Sequence, residues 1–226
     1  MIHLMKLELK KVGLKRYFLF SMLGILLCMF FVFAGLNDKS TSIYDYDVTF
    51  RTISLVFCFY YIILFAVLNV AYVINEYTNK TILILFSYPV DRKKLILAKL
   101  ILITTLMISS MIIGYICCFT FVVVLDKYFN LVIGDFHISI LSYWIPVAIK
   151  SIIVFCSLGI WTFVVGMMRK SIPVTLVSSI IFIHLRQFIL AGTNTTQDSL
   201  ISILIIVSIT LIGIYYILNH KVAEID

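Results

Sequence analysis

Charge is what this sequence has least of. Only 13% of its 226 residues are Asp, Glu, Lys or Arg, about half the ~25% of a soluble domain. Proline is scarce at 3 residues and glycine stands at 9, so no Pro- or Gly-rich linker explains the shortfall, and a disordered tail is excluded. The five cysteines, Cys28, Cys58, Cys117, Cys118 and Cys156, all fall within long apolar stretches. None sits where an oxidising outer loop would staple the chain, so no disulfide framework is implied. Catalytic signatures are missing too. No Gly-x4-Gly-Lys-Ser/Thr segment is present to cradle ATP phosphates. The histidines His3, His137, His184 and His220 are scattered and form no His-Glu-x2-His or comparable metal spacing. No Gly-x-Ser-x-Gly elbow occurs. No carboxylate lies deep in an apolar stretch, so a proton-coupled relay has no parts.

What remains is apolar. Hydrophobic residues make up 62% of the chain and aromatics 15%, with a mean hydropathy of +1.12. A soluble globule cannot hide so much apolar surface, because a chain of this size still exposes about a quarter to a third of its unfolded area. Six stretches meet the ~20 residues needed to cross ~30 Å of hydrocarbon: residues 17–36, 53–74, 95–125, 143–168, 172–190 and 200–218. None alternates as a membrane strand does. The first is too long for a cleaved secretory signal. The expected fold class is an all-α polytopic membrane protein with six transmembrane helices in one transmembrane domain over 1–226.

Basic residues orient these spans. Lys6, Lys10, Lys11, Lys15 and Arg16 precede the first span; Lys80, Arg92, Lys93, Lys94 and Lys99 follow the second; Arg169 and Lys170 follow the fourth; Lys221 follows the sixth. Loops rich in Lys and Arg stay in the cytoplasm, and these thirteen residues are most of the 18 in the chain. Both termini are therefore expected inside. The net charge of +7 is a consequence of topology and calls for no nucleic-acid partner. Within residues 1–16, Ile2, Met5, Leu9 and Val12 recur at helical spacing. They suggest an amphipathic interfacial helix with its lysines on anionic head groups. A plain basic anchor for the first span is the simpler alternative.

The loop over residues 76–94 is the most informative segment. An apolar run of five, Ile82-Leu83-Ile84-Leu85-Phe86, lies between polar, basic flanks on the inner side. It is too short to span and too apolar to face water without a cover. Pro89 suits the first turn of the next helix, and Asp91 would sit at its positive end. From Pro89 to Leu125 a helix would be about 55 Å long, so the third span is expected to project below the membrane.

The pattern Glu76-Tyr77-x3-Thr81-x3-Leu85-x-Ser87-x-Pro89-Val90-x-Arg92-x2-Leu95-x3-Lys99 resembles the loop between spans two and three of type-2 ATP-binding-cassette (ABC) exporter permeases. The likeness is to small bacterial members tied to peptide or antibiotic export and immunity. The resemblance implies a permease in the bacterial cytoplasmic membrane, moving a hydrophobic or amphipathic substrate (a peptide, bacteriocin or antibiotic). It implies that the chain itself is no enzyme and binds no cofactor. ATP and Mg would belong to a separate ABC ATPase subunit, and the other partners would be a second permease copy or a paralogue and the lipid bilayer. Glu76, Tyr77, Thr81, Leu85, Phe86, Ser87, Pro89 and Arg92 would form the ATPase-coupling element, with Arg169 and Lys170 as a lesser contact. The segment over residues 191–199 is shorter than the outer element that larger members carry there. The alternative function is an ATP-independent membrane immunity or binding protein for an antimicrobial peptide.

Within the spans, Arg186 stands out, flanked by His184 and Gln187. It follows Ile172 by fourteen residues, about 21 Å of helix. A cation there is costly unless it faces a cavity or partner. The cluster reads either as a lining of the substrate path or gate, or as an arginine snorkelling to the outer surface. Asn69 in the second span reads as a path residue or as a helix–helix hydrogen bond.

Overall fold

The computed structural model describes residues 14–37, 45–78, 92–129, 132, 138–191 and 196–221. Every regular element among them is helical. This is the form hydrocarbon demands, since a helix pairs its backbone groups within one segment. The helices are α1 (Leu14–Asn37), α2 (Tyr46–Asn69), a π turn (Val70–Ile74), α3 (Asn75–Thr78), α4 (Arg92–Phe129), α5 (Ile138–Arg169), α6 (Ile172–Ala191), α7 (Thr196–Tyr216) and a second π turn (Ile217–Lys221). Five stretches are long and apolar enough to cross a membrane: Tyr17–Leu36, Tyr46–Thr78, Lys93–Phe129, Ile140–Arg169 and Leu200–Asn219. Helix α6 contributes a shorter apolar stretch, Ile172–Arg186.

The helices outrun the hydropathy-defined spans. Helix α2 starts at Tyr46 rather than residue 53, α4 covers Arg92–Phe129 rather than 95–125, and α5 starts at Ile138 rather than 143. Hydropathy marks the chain inside hydrocarbon, whereas a helix persists beyond it wherever its first turn is satisfied. At α2 the Thr49 backbone N–H donates to the Asp45 carbonyl at 3.1 Å, and Asp47 lies in the first turn, where the helix dipole favours a negative charge. Helix α5 runs straight through Pro146 on its exposed side. The expected interfacial helix over 1–16 lies outside the described residues, except that 14–16 already belong to α1.

Helices α2 and α5 form the centre. Helix α2 packs on α1, α4, α5 and α6, and α5 packs on α2, α4, α6 and α7. A column of rings joins α2, α4 and α5: Phe50 lies 4.5 Å from Phe119 and 5.7 Å from Trp144, and Phe57 lies 4.9 Å from Tyr115, centroid to centroid. Lipid is as apolar as these side chains, so association rests on close packing and small residues. Gly159 of α5 shows this: a Cβ there would stand 2.5 Å from the root of the Phe65 ring.

Helix α1 is staggered upward. Tyr17, near its start, donates its hydroxyl to the Leu106 carbonyl at 2.5 Å and to Ser110 Oγ at 2.8 Å. Ser110 is about 27 Å along α4 from Arg92 at 1.5 Å per residue. The Arg92 end of α4 therefore extends well beyond Tyr17 of α1.

Candidate functional site

The ends of the bundle that carry Thr78, Lys93 and Lys170 meet at one pole, here termed the basic end. The Val70–Ile74 π turn interrupts the rod of α2 just before α3. Such turns are rare and recur at functional sites. Lys99 of α4 reaches into this interruption. Its Nζ donates to the Tyr72 carbonyl at 3.1 Å and forms an ion pair with Glu76 Oε2. The Lys99 side chain is 3% exposed and that of Glu76 18%. A buried pair of this kind stabilises little over an apolar substitute, but removing one partner strands the other. The two flanks of the 79–91 segment are thus clasped together from α3 and α4.

A second contact joins the end of α3 to the turn between α5 and α6. Thr78 Oγ1 shares its proton between the Ile74 carbonyl at 3.0 Å and, more weakly, the Lys170 carbonyl at 3.4 Å. Lys170 has φ 46°, the left-handed region that a lysine adopts at a cost of about 1 kcal/mol or more. That conformation makes the tight turn between α5 and α6. Thr175 caps the turn through its hydroxyl to the Ser171 carbonyl at 2.9 Å. Gly166 lies against the side chains of Ile74 and Thr175, so the π turn, α5 and α6 meet where no Cβ intervenes. Lys93 Nζ bonds Asn219 Oδ1 at 2.9 Å, which ties in the last π turn.

Of the residues expected to couple, the structure brings Glu76, Tyr77, Arg169 and Lys170 to this end. Tyr77 is buried, and Arg169 and Lys170 are exposed. Arg92 begins α4, although its side chain lies outside the described residues, as do Thr81, Leu85, Phe86, Ser87 and Pro89 in full. Lys99, counted in sequence as an inner basic residue and a member of the motif, was given no coupling role, and Thr78 was given none. The signal for Lys99 was available: a lysine two turns into a helix needs a partner.

The intramembrane candidates separate. Asn69 is fully buried, and its Nδ2 donates to Thr162 Oγ1 at 3.2 Å and the Gly159 carbonyl at 3.4 Å, a bond between helices. His184 is exposed, and the Gln187 side chain lies outside the described residues. Arg186 turns inward and is 7% exposed. Its Cζ stands 5.5 Å from the centroid of the Phe155 ring. Phe155 is fourteen residues from the end of α5 at Arg169, about 21 Å, so the guanidinium lies near the middle of the most buried helix. A desolvated cation–π contact contributes ~2 kcal/mol, while an arginine at a helix centre costs at least ~2.5–3.5 kcal/mol in a bilayer. The ring alone does not offset the burial.

The opposite end is held differently. Tyr46 donates its hydroxyl to Asp126 Oδ2, Asp126 Oδ1 accepts the Val132 backbone N–H at 3.0 Å, and Trp144 Nε1 donates to Asp47 Oδ1 at 2.8 Å. These bonds link α2, α4 and α5. Sequence reasoning passed over Asp126 because it lies just beyond the third span.

Comparison with known proteins turns this geometry into an identity. A family model described as "ABC-2 family transporter protein" matches residues 4–185. The chain belongs to that family. This ABC-2 protein is 29% identical over 201 residues to "Uncharacterized protein YcbO" of Bacillus subtilis (strain 168), across 81% of this chain and 82% of the relative. No solved structure matches it. It is a multi-pass membrane permease, a transport subunit whose domain lacks the ATPase and binds no cofactor itself. Membership of the family implies an ABC ATPase partner.

Proposed function

We propose that this ABC-2 permease exports a hydrophobic or amphipathic substrate, of the peptide, bacteriocin or antibiotic class, across the bacterial cytoplasmic membrane. Six spans with both termini inside would pair with a second copy or a paralogue to enclose a path. ATP and Mg would act on a separate ATPase subunit. That subunit would dock on Glu76, Tyr77, the 79–91 segment, Arg92 and the Arg169/Lys170 turn. Its closure would drive the permease between packed arrangements.

One observation carries this reading: the clasp of Glu76 and Lys99, together with the Thr78–Lys170 bond, gathers both inner loops at a single pole. A force applied to either loop would reach α2, α4, α5 and α6 together. The π turn supplies backbone able to change register there. The excess of Lys and Arg at this pole supports a cytoplasmic placement.

The test is co-purification. The protein is expressed with its genomic neighbours, extracted in mild detergent, and examined for an ATP-hydrolysing subunit. Capture that is lost when residues 82–86 are made polar supports the reading. In reconstituted vesicles Glu76→Ala and Arg92→Ala should hydrolyse ATP without moving substrate; normal transport by both would remove the coupling assignment.

A further inference from the structure

Arg186 is a cation near the middle of the bundle, and among the described residues no acid meets it. A guanidinium offers five N–H donors and stays charged under all ordinary conditions. Among the described residues none accepts a hydrogen bond from it, and its Nε is fully buried without a partner. The face it turns to is polar by the standards of the bundle. Ser54 and Cys58 of α2, Tyr115 of α4 and Ser151 of α5 are all buried. Arg186 stands over the ring of Phe155, one turn of α5 from Ser151. The Tyr115 hydroxyl donates to Ser54 Oγ at 3.3 Å. Three helices therefore bring hydroxyl or thiol groups toward the one cation that α6 carries inward. Such a cluster has donors to spare and lacks a negative charge.

We infer that Arg186 is the docking point for an anionic head group, a phosphate or carboxylate, carried on an apolar chain. Planar, bidentate recognition of those oxyanions is what a guanidinium does best, and Tyr115, Ser54 and Ser151 supply hydroxyls to the remaining oxygens. An inorganic anion has no route to this depth, whereas an amphiphile does, with its tail among the apolar side chains. The inference rests on the transporter reading and narrows its substrate class to anionic amphiphiles. It is independent of which residues touch the ATPase.

The experiment uses the purified chain in dodecyl maltoside, which is uncharged and phosphate-free. Dodecyl phosphate, dodecanoate and dodecanol are titrated separately. Thermal unfolding and Trp fluorescence are followed; Trp161 packs 6.4 Å from Phe182, one turn below Arg186 on α6. One or both anionic probes should raise Tm where dodecanol does not. Arg186→Gln should weaken the response about tenfold or more, and Arg186→Lys should retain part of it as a point charge. A response to phosphate alone points to a lipid-type phosphate, and one to carboxylate alone to a fatty acid or peptide C-terminus. Because the cation is unpaired, Arg186→Met without ligand should be at least as stable as the wild type. Three results would each overturn the inference: equal shifts in wild type and Arg186→Gln, a dodecanol shift as large as the anionic ones, or an unliganded Arg186→Met that unfolds far below the wild type. ATPase capture is scored on the same preparations. Loss of head-group binding with capture intact removes this inference alone, and the reverse outcome removes the coupling assignment alone.

Discussion

The two ends of the bundle are held by opposite means. At one end neutral donors (Tyr46, Trp144 and a backbone N–H) converge on two carboxylates, above a column of interlocked rings. Each of these bonds runs from a neutral donor to a carboxylate. At the basic end a lysine spans a carboxylate and a π-turn carbonyl, a non-glycine residue sits at φ 46°, and the bond between the loops is long at 3.4 Å. Each of those features has an alternative nearby: the π turn can return to α register, and the lysine can trade one acceptor for another. The contrast suggests that one pole is built to stay closed around α2, α4 and α5 while the other is built to be rearranged.

Substitutions that unbalance the contrast should show it most. Lys99→Met removes the cation from Glu76 and the donor from the Tyr72 carbonyl, and is expected to cost about 3 kcal/mol and to abolish coupled transport. The double change with Glu76→Gln should recover much of the Tm in detergent but not the transport. Asp126→Ala removes the acceptor shared by Tyr46 and Val132; about 2 kcal/mol should be lost, with ATPase capture unchanged. If capture fails as well, the two ends are not independent. Between them, Gly159→Ala places a methyl against the Phe65 ring root and should cost about 1–3 kcal/mol by overpacking, whereas Gly213→Ala, with its nearest neighbours at 3.5 Å, should leave Tm nearly unchanged. The smallest effect is expected for Thr78→Val, within ~0.5 kcal/mol in stability. Its readout is transport rate, because it removes the Thr78 hydroxyl's bonds to the Ile74 and Lys170 carbonyls and little else.

Much of this fold was legible in advance because hydrocarbon imposes one rule on every span. The middle of each expected span coincides with a helix, and Tyr17–Leu36 matches to the residue. The ends were not legible. Tyr46-Asp47-Val48-Thr49 reads as loop by hydropathy, yet it is the first turn of α2. Val70-Ala71-Tyr72-Val73-Ile74 carries no mark of a π turn. At the candidate site, Glu76 and Lys99 were visible as members of one motif, but their pairing across 23 positions is a property of packing. Gly159 and Gly166 admit close approach. The partners they admit, Phe65 on one side and Ile74 with Thr175 on the other, emerge only from the fold.

The stagger of α1 has a mechanical corollary. Tyr17 grips α4 at Ser110, eighteen residues from Arg92 and nineteen from Phe129. The arms on either side of that grip are about 27 Å and 29 Å long, and no proline softens the rod between them. A stiff bar pivoted at its midpoint neither magnifies nor damps what is applied to it. A push delivered at Lys93 would turn α4 as a lever about Ser110, which Tyr17 and Tyr61 both hold, and would load the Asp126 bonds at the far end with a force of nearly equal size in the opposite direction.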